Sequence, residues 1–345
     1  MAIITERTKH KQMSALADYR DNILRHTPVL HHLFIELPVR PSSLGLDEYK
    51  AFLMQVKEDF DISHLNLCFA GAEPLRYPSF FELADYAHNL GFMWGMTTNG
   101  TLIDSHVARR LADLGMSTVS VRIDGLEKTH NFFRQYSNAY ERTMSGIREL
   151  VLLDVFKHVQ VTTVVDRRNI GDIKRMRKII ADTGVRSWRI MNIESTCYAP
   201  VDKKLMLTGD EIKRLMHFIR ENRHEPPMEI TYGCSHFLGP KLEREVRQWY
   251  FLCNAGIYTA SIDTEGNILA CPDIPRRPEL IQGNIKTDRF KNVWEEEYKI
   301  FRTDYRKQGK CADCKYYRHC AGDSFHTWDF DKNEPGMCMK GILFK

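Results

Sequence analysis

Between residues 33 and 222, short apolar runs alternate with amphipathic stretches six times. The strand candidates are Leu33–Leu37, Leu65–Phe69, Phe92–Met96, Thr118–Ile123, Val159–Val165 and Trp188–Ile193. Each is followed by a helix candidate: Asp47–Phe60, Phe80–Leu90, Ile103–Leu114, Ala139–Leu153, Ile173–Thr183 and Gly209–Asn222. In the first helix Tyr49, Phe52, Leu53 and Val56 recur at helical spacing and mark a buried face. Regular strand–helix alternation means parallel strands joined by crossovers in one sheet. Six units close only part of an eightfold ring. The expected fold is therefore α/β, a partial (β/α)6 barrel, with its chemistry on the loops that follow the strands. A helix over 14–24 precedes the first strand.

After Glu225-Pro-Pro227 the pattern changes. A linking helix is expected at Lys241–Trp249, and a hairpin at 258–270 with Gly266 at its turn. Trp294 and Phe301 fall on a later helix. Six of the nine cysteines crowd into this tail: Cys253, Cys271, Cys311, Cys314, Cys320 and Cys338. Cys311-Ala-Asp-Cys314 offers two thiolates from one tight turn, as a soft metal or an iron–sulfur cluster needs. The competing reading is a set of small buried hydrophobes.

The 345 residues suffice for one large domain and one small one. A net charge of +4 does not argue for nucleic acid, and Arg7–Lys11 reads as a solvated end. Met1–Gln12 has no apolar run of the signal-peptide kind, and nothing downstream approaches a membrane span. A cytoplasmic location is expected, where thiols stay reduced and cysteine crowding favours metal over disulfides.

Three strand ends carry polar loops. The second runs into Ala70-Gly-Ala-Glu-Pro74, the third into Thr97-Thr-Asn-Gly-Thr101, and the fourth into Arg122-Ile-Asp-Gly-Leu126, followed by His130 and Arg134. A glycine there lets backbone approach a ligand, and a carboxylate can hold an amine; each loop alone is also an ordinary turn.

Taken in this order, the chain resembles radical S-adenosylmethionine enzymes that carry a SPASM extension, from about Leu33 to Cys338. Gly71-Ala-Glu-Pro74 matches the family's Gly-Gly-Glu-Pro. Thr98-Asn-Gly-Thr101 and Ile123-Asp-Gly125 match its next two strand ends. The tail matches six of its seven cysteines, and Gly283-Asn-Ile285 with Val293-Trp294 matches the connector. The resemblance implies that Gly71, Ala72, Glu73, Pro74, Thr98, Asn99 and Asp124 hold S-adenosylmethionine. It implies auxiliary [4Fe–4S] clusters in the tail, one on Cys311, Cys314, Cys320 and Cys338. A second would use Cys253 and Cys271, with Cys234 as a third ligand and Ser324, Asp323 or water at the fourth position. It also implies a peptide or protein substrate, modified through a radical made by reductive cleavage of the cofactor, and an electron donor such as flavodoxin or ferredoxin.

The chain departs from that pattern at one decisive place. The family's first loop carries Cys-x3-Cys-x2-Cys, which binds the cluster that cleaves the cofactor. Here the first strand runs into Pro38–Leu46, and no cysteine occurs before Cys68. Without thiolates there is no site for that cluster, so no catalytic residue is assigned. Arg122 stands where the family has Ser; it either fills the ligand cavity or turns outward. Ser324 stands where the seventh cysteine belongs. Cys197 reads as a buried thiol, and His236, His319 and His326, beside aromatic residues, as structural.

The expected organisation is a helical lead-in at 1–31, the barrel at 32–228, a linker helix at 229–250 and the SPASM-like domain at 251–345. No separate precursor-recognition module is expected before the first strand. Three functional readings remain: a radical family member without its catalytic loop, a pseudoenzyme serving as a binding or electron-relay module, and a scaffold with zinc on four thiolates.

Overall fold

The computed structural model describes residues 6–24, 26, 28–40, 44–194, 201–234, 236–248 and 250–345. In β1 (His32–Leu37) Leu33, Ile35 and Leu37 are buried, while His32, Phe34 and Glu36 are half-buried. This period of two sets one face against helices and the other toward the barrel interior. β2 (Asn66–Gly71) repeats it with Leu67 and Phe69. Next come β3 (Met93–Thr98), β4 (Met116–Arg122), β5 (His158–Val165), β6 (Ser187–Asn192) and β7 (Glu229–Tyr232). Each pairs in parallel with the strand before it.

The helices are α1 (Glu6–Ile23), α2 (Leu46–Asp59), α3 (Phe80–Leu90), α4 (Ser105–Asp113), α5 (Glu127–Arg134), α6 (Ala139–Leu153), α7 (Ile173–Ala181) and α8 (Gly209–Asn222). Local chemistry sets their ends. Asp104 accepts from the His106 and Val107 amides ahead of α4. Thr208 and Glu211 bond reciprocally at the start of α8. Phe69, Phe80 and Trp94 meet edge to face, with ring centres 5.7–6.2 Å apart, and lock β2 and β3 against α3. Among the described residues no helix is long and apolar enough to cross a membrane.

The six expected strands all form, and two more parallel strands flank them. β7 arises inside 229–250, the expected linker helix. There the helix shrinks to α9 (Glu243–Val246), a single turn; Trp249 lies outside the described residues. Glu243 is fully buried and accepts from the Leu238 and Phe251 amides, so this segment is pinned as a turn rather than run as a helix.

The expected hairpin also forms. β8 (Thr259–Ile262) and β9 (Asn267–Leu269) are antiparallel, and Asp263 accepts from the amides of Glu265 and Asn267 at the turn. However, β8 also pairs in parallel with β1, so the tail hairpin extends the barrel sheet. With β10 (Gly283–Asn284) the sheet has ten strands in the order β10-β9-β8-β1-β2-β3-β4-β5-β6-β7. Among the described residues its two ends, β7 and β10, do not pair, which makes the barrel partial. The edge of β1 would otherwise be open, and the hairpin covers it.

The tail continues through α10 (Phe290–Glu296), α11 (Tyr317–Cys320), β11 (Trp328–Asp329) and β12 (Glu334–Pro335). Trp294 lies on α10 and donates to the Pro28 carbonyl at 2.8 Å, fastening the tail to the chain ahead of β1. Phe301 sits in the short turn that follows, not on that helix.

Candidate functional site: a cysteine cavity and the barrel mouth

A tight turn places Cys311 and Cys314 together, with the Cys314 amide on the Cys311 carbonyl. The single turn of α11 then delivers Cys320, whose amide reaches Tyr316. These three and Cys338 line one cavity of about 410 Å³, together with Phe237, Tyr316, Tyr317, Met339 and Phe344. One water needs only ~10–15 Å³, so this void is built for something larger. Burial, with Cys338 and Cys314 nearby, pushes the Cys311 thiol up to about 11. Burial raises Cys320 and Cys338 as well. Thiols that oppose each other's ionisation become ligands once a cationic core sits between them.

Among the described residues, no three His, Cys, Asp or Glu side chains lie close enough to share one metal ion. The described cysteines are all free of disulfides, and Cys197 lies outside the described residues.

The second expected ligand set is less complete. Cys271 is raised by burial, then by Asp273, and further by Cys253, so these two thiols are neighbours. Cys253 lines a cavity of about 20 Å³ that Cys320 and His319 also border. Cys234 keeps different company. Its sulfur takes the Asn192 amide at 3.1 Å and donates to the Asn192 carbonyl at 3.4 Å. Ser324 is buried with its hydroxyl 3.2 Å from that of Thr327. Asp323 has one carboxylate oxygen 2.6 Å from His236 Nδ1 and the other on the Phe237 amide at 2.8 Å.

That last contact opens a buried ladder that the sequence does not show. His236, with no exposed surface, also meets Glu194 at 2.8 Å through Nε2. The other oxygen of Glu194 lies 3.0 Å from His326 Nε2. Burial alone would raise Glu194, but His236 and His326 hold its carboxyl well below the usual range. Burial alone would lower His236, but Glu194 and Asp323 push it well up. The ladder therefore alternates charge from the cysteine cavity, where Asp323 is a lining residue, to the end of β6. His236 and His326 are thus held by carboxylates, as structural histidines are.

At the barrel mouth the structure gathers Gly71, Ala72, Glu73, Pro74, Thr98, Asn99 and Asp124 at the ends of β2, β3 and β4. Gly71 has φ +107°, and a Cβ there would lie 2.8 Å from the Leu37 carbonyl, so the close approach to β1 requires glycine. Glu73 is 2% exposed. It accepts from Thr98 Oγ1 at 2.8 and 2.9 Å, the Asn99 amide at 2.8 Å and the Leu75 amide at 3.2 Å. Ala72 is exposed and Pro74 starts a short turn. The Asn99 side chain accepts from Thr101 at 2.9 Å through the amide and at 2.6 Å through the hydroxyl. Asp124, also 2% exposed, accepts from Arg122 at 2.9 Å, Arg134 at 3.0 Å and the Val164 amide at 3.3 Å. The Arg122 side chain is 45% exposed, so it runs along the rim onto Asp124 rather than into a packed pocket. His130 accepts from the Asp124 amide at 3.1 Å, and burial pushes its ring down to about 4.

The end of β1 is tied to the tail. Arg276 forms an ion pair with Glu36 and donates to the Ile274 carbonyl at 2.7 Å. Cys68 sits within β2, its sulfur 3.9 Å from Thr97 Oγ1, and burial pushes it up to about 11. One inert thiol does not fit a cluster that needs three. Residues 41–43 of the shortened loop lie outside the described residues.

Comparison with known proteins bears on this geometry. The family model for the radical SAM superfamily matches residues 34–180, and that for the SPASM iron–sulfur cluster-binding domain matches 253–315. The AdoMet-dependent heme synthase of Methanosarcina barkeri is 26% identical over 318 residues, 86% of this chain and 88% of that protein. The mycofactocin maturase MftC of Mycobacterium tuberculosis is 26% identical over 289 residues, 82% of this chain and 71% of its own. The crystal structure of Streptococcus suis SuiB superposes with a TM-score of 0.72 at 16% identity, covering 96% of this chain and 81% of SuiB, and supports the fold. SuiB has also been solved bound to S-adenosylmethionine and to the precursor peptide SuiA. The barrel, the strand-end loops and the cysteine tail, matched in this order, place the chain in the radical S-adenosylmethionine superfamily, with a SPASM iron–sulfur domain behind its barrel.

Proposed function

We propose that this chain holds a [4Fe–4S] cluster on Cys311, Cys314, Cys320 and Cys338 and does not itself generate a substrate radical. The observation that carries the reading is the contrast between four thiols around one 410 Å³ cavity and a barrel mouth without a cysteine at the end of β1. A cluster there would supply one-electron chemistry. Cys311 and Cys314 would hold it from one turn, Cys320 from α11 and Cys338 from the outer side, while Phe237 and Phe344 would keep water from the inner wall.

The barrel's part is binding. Its strand-end loops form the surface on which a peptide or protein would lie. Mycofactocin maturase and SuiA-bound SuiB support the peptide class, and the heme synthase relatives supply the competing one. The role this supports is that of a binding or electron-relay member of a radical family, not a zinc scaffold.

Oxygen-free reconstitution followed by iron, sulfide and zinc analysis tests this. About four irons per chain is the expected result, and about eight would add the Cys253/Cys271 site. One zinc and no iron would refute the cluster. An assay for 5′-deoxyadenosine tests the other half. No product is expected, and cluster-dependent cleavage of S-adenosylmethionine would refute the silent barrel.

A further inference from the structure

The inner face of the barrel is not packed. On β4, β5 and β6 the residues that alternate with the buried Val121, Val161, Trp188 and Ile190 are Ser120, Arg122, Gln160, Thr162 and Arg189, and all of them keep contact with water. Closed barrels of this class fill their interior with layers of apolar side chains. Here the interior is polar and open to water. Register lines part of it up. Arg122 stands opposite Thr162, Thr162 opposite Arg189, and Arg189 opposite Thr231 of β7, so the four form one row across neighbouring strands.

The two arginines of that row are in different states. Arg122 is held by Asp124, which Arg134 shares. Arg189 has no carboxylate within ion-pair distance among the described residues; its Nη2 donates to the Gly233 carbonyl at 2.9 Å. A Cβ at Gly233 would lie 2.6 Å from Arg189 Cγ, so the missing side chain lets the arginine lie flat along β7. A guanidinium has several N–H donors, and one carbonyl does not satisfy them. Although water reaches Arg189, desolvation inside the barrel lowers its pKa from the ordinary value, so the cation is costly to leave unpaired. The acids around it are mostly taken. Glu36 pairs with Arg276, Glu194 with His236 and His326, and Glu243 with Arg247, the other cation nearby. Asp273 is close enough to be felt, but it is exposed and forms no ion pair among the described residues.

We infer that Arg189 anchors a carboxylate of the peptide or protein segment that enters the barrel, with the Thr231 hydroxyl beside it as a second donor. The inference rests on the binding reading of the barrel above, and adds what the segment must carry and which residue reads it. A guanidinium held along a strand presents a planar fork that a carboxylate matches with parallel hydrogen bonds. Inside an enclosed lumen each such bond is stronger than at an open surface. A neutral isostere would leave the cation unpaired, which gives discrimination as well as affinity. An acidic side chain and a free chain end offer the same chemistry.

Short acetylated peptides of Gly and Leu carrying an uncharged dye serve as probes, with the full chain. One has a central Glu and an amidated end, one a central Gln and an amidated end, and one a central Gln and a free carboxyl end. Binding is read by fluorescence anisotropy. The wild type should bind at least one carboxylate peptide about tenfold more tightly than the neutral one, and the arm that shows the preference names the source of the carboxylate. Arg189→Gln should abolish the preference and leave the neutral peptide's affinity unchanged. Arg189→Lys keeps the charge and should keep part of the preference. Arg175→Gln on the outer face of α7, where the side chain is 73% exposed, should change nothing. Urea midpoints confirm that each variant is folded. A preference that survives Arg189→Gln overturns the inference, and so does an equal loss in the Lys variant or in the α7 control. S-adenosylmethionine binding, measured by equilibrium dialysis, should not depend on Arg189; a loss there larger than that of the acidic peptide overturns the inference in favour of the cofactor's own carboxylate. Equal binding of all the peptides to the wild type sinks the anchor alone. No binding of any of them sinks the binding reading of the barrel, and the anchor with it.

Discussion

The tail cavity and the barrel mouth use the same raw material, ionisable side chains at loop ends, in opposite states. In the tail, four thiols face a shared void, and burial raises Cys311, Cys320 and Cys338. At the mouth, Glu73 and Asp124 have spent their acceptor capacity on the chain's own donors. Glu73 alone takes four contacts from Thr98, Asn99 and Leu75 while almost wholly buried. A site waiting for a partner leaves like groups in mutual opposition, whereas a site closed on itself satisfies each group locally. Residue identity alone treats both regions alike; in the structure the thiols share a void, while the carboxylates are bonded within the chain.

Removing one thiol tests the open region most severely. Cys314→Ala should lower the iron content well below about four per chain on reconstitution, since the tight turn then offers one thiolate in place of two. Glu73→Gln should leave it unchanged. If both variants lose iron, the two regions are not independent. The buried ladder beside the cysteine cavity should give the next largest effect. His236→Ala removes the cation between Glu194 and Asp323, leaving Glu194 with His326 and Asp323 with the Phe237 amide, and should destabilise the fold by about 3–5 kcal/mol in urea unfolding. A loss below about 1 kcal/mol would show the ladder to be hydrated in solution.

The mouth has its own pH signature. The His130 ring titrates near 4 in the fold and near ~6.5 when unfolded. The unfolded chain therefore binds the extra proton first. This contribution is intact above pH ~6.5 and is lost as pH falls toward 4, about 2 kcal/mol by pH ~5. Urea midpoints of wild type and His130→Asn should converge as the pH drops through that window, and parallel curves would exclude His130 as the cause. The smallest effect is expected at Arg122. With its side chain 45% exposed, Arg122→Ser should change stability by about 0–1 kcal/mol. A larger loss would mean that the Asp124 contact is stronger than its exposure suggests.

Much of the fold was legible because period and length report which face of an element is buried. The helices at Phe80–Leu90, Ala139–Leu153 and Gly209–Asn222 end where the sequence reading puts them. Partners are harder to read than faces. Nothing in Thr259–Ile262 says that it joins β1 rather than a tail sheet, because its register is decided by an edge more than 200 residues earlier. The pair Arg276–Glu36 spans 240 residues, and His326–Glu194 spans 132, so neither leaves a local pattern. α5 is hard to see in sequence because its eight residues follow the Asp124-Gly125 turn at once and bury only His130. The four tail cysteines, by contrast, sit at spacings short enough for backbone turns to bring three of them together.

The parallel pairing of β1 with β8 has a consequence for how the chain is made. β1 leaves the ribosome early, yet its outer neighbour follows only after about 220 further residues. At ~5–20 residues per second this leaves a bare backbone edge for roughly 10–40 s during synthesis. For that interval the nascent protein depends on something other than its own sheet to cover β1. A gene fragment stopping before the hairpin would keep that edge uncovered permanently.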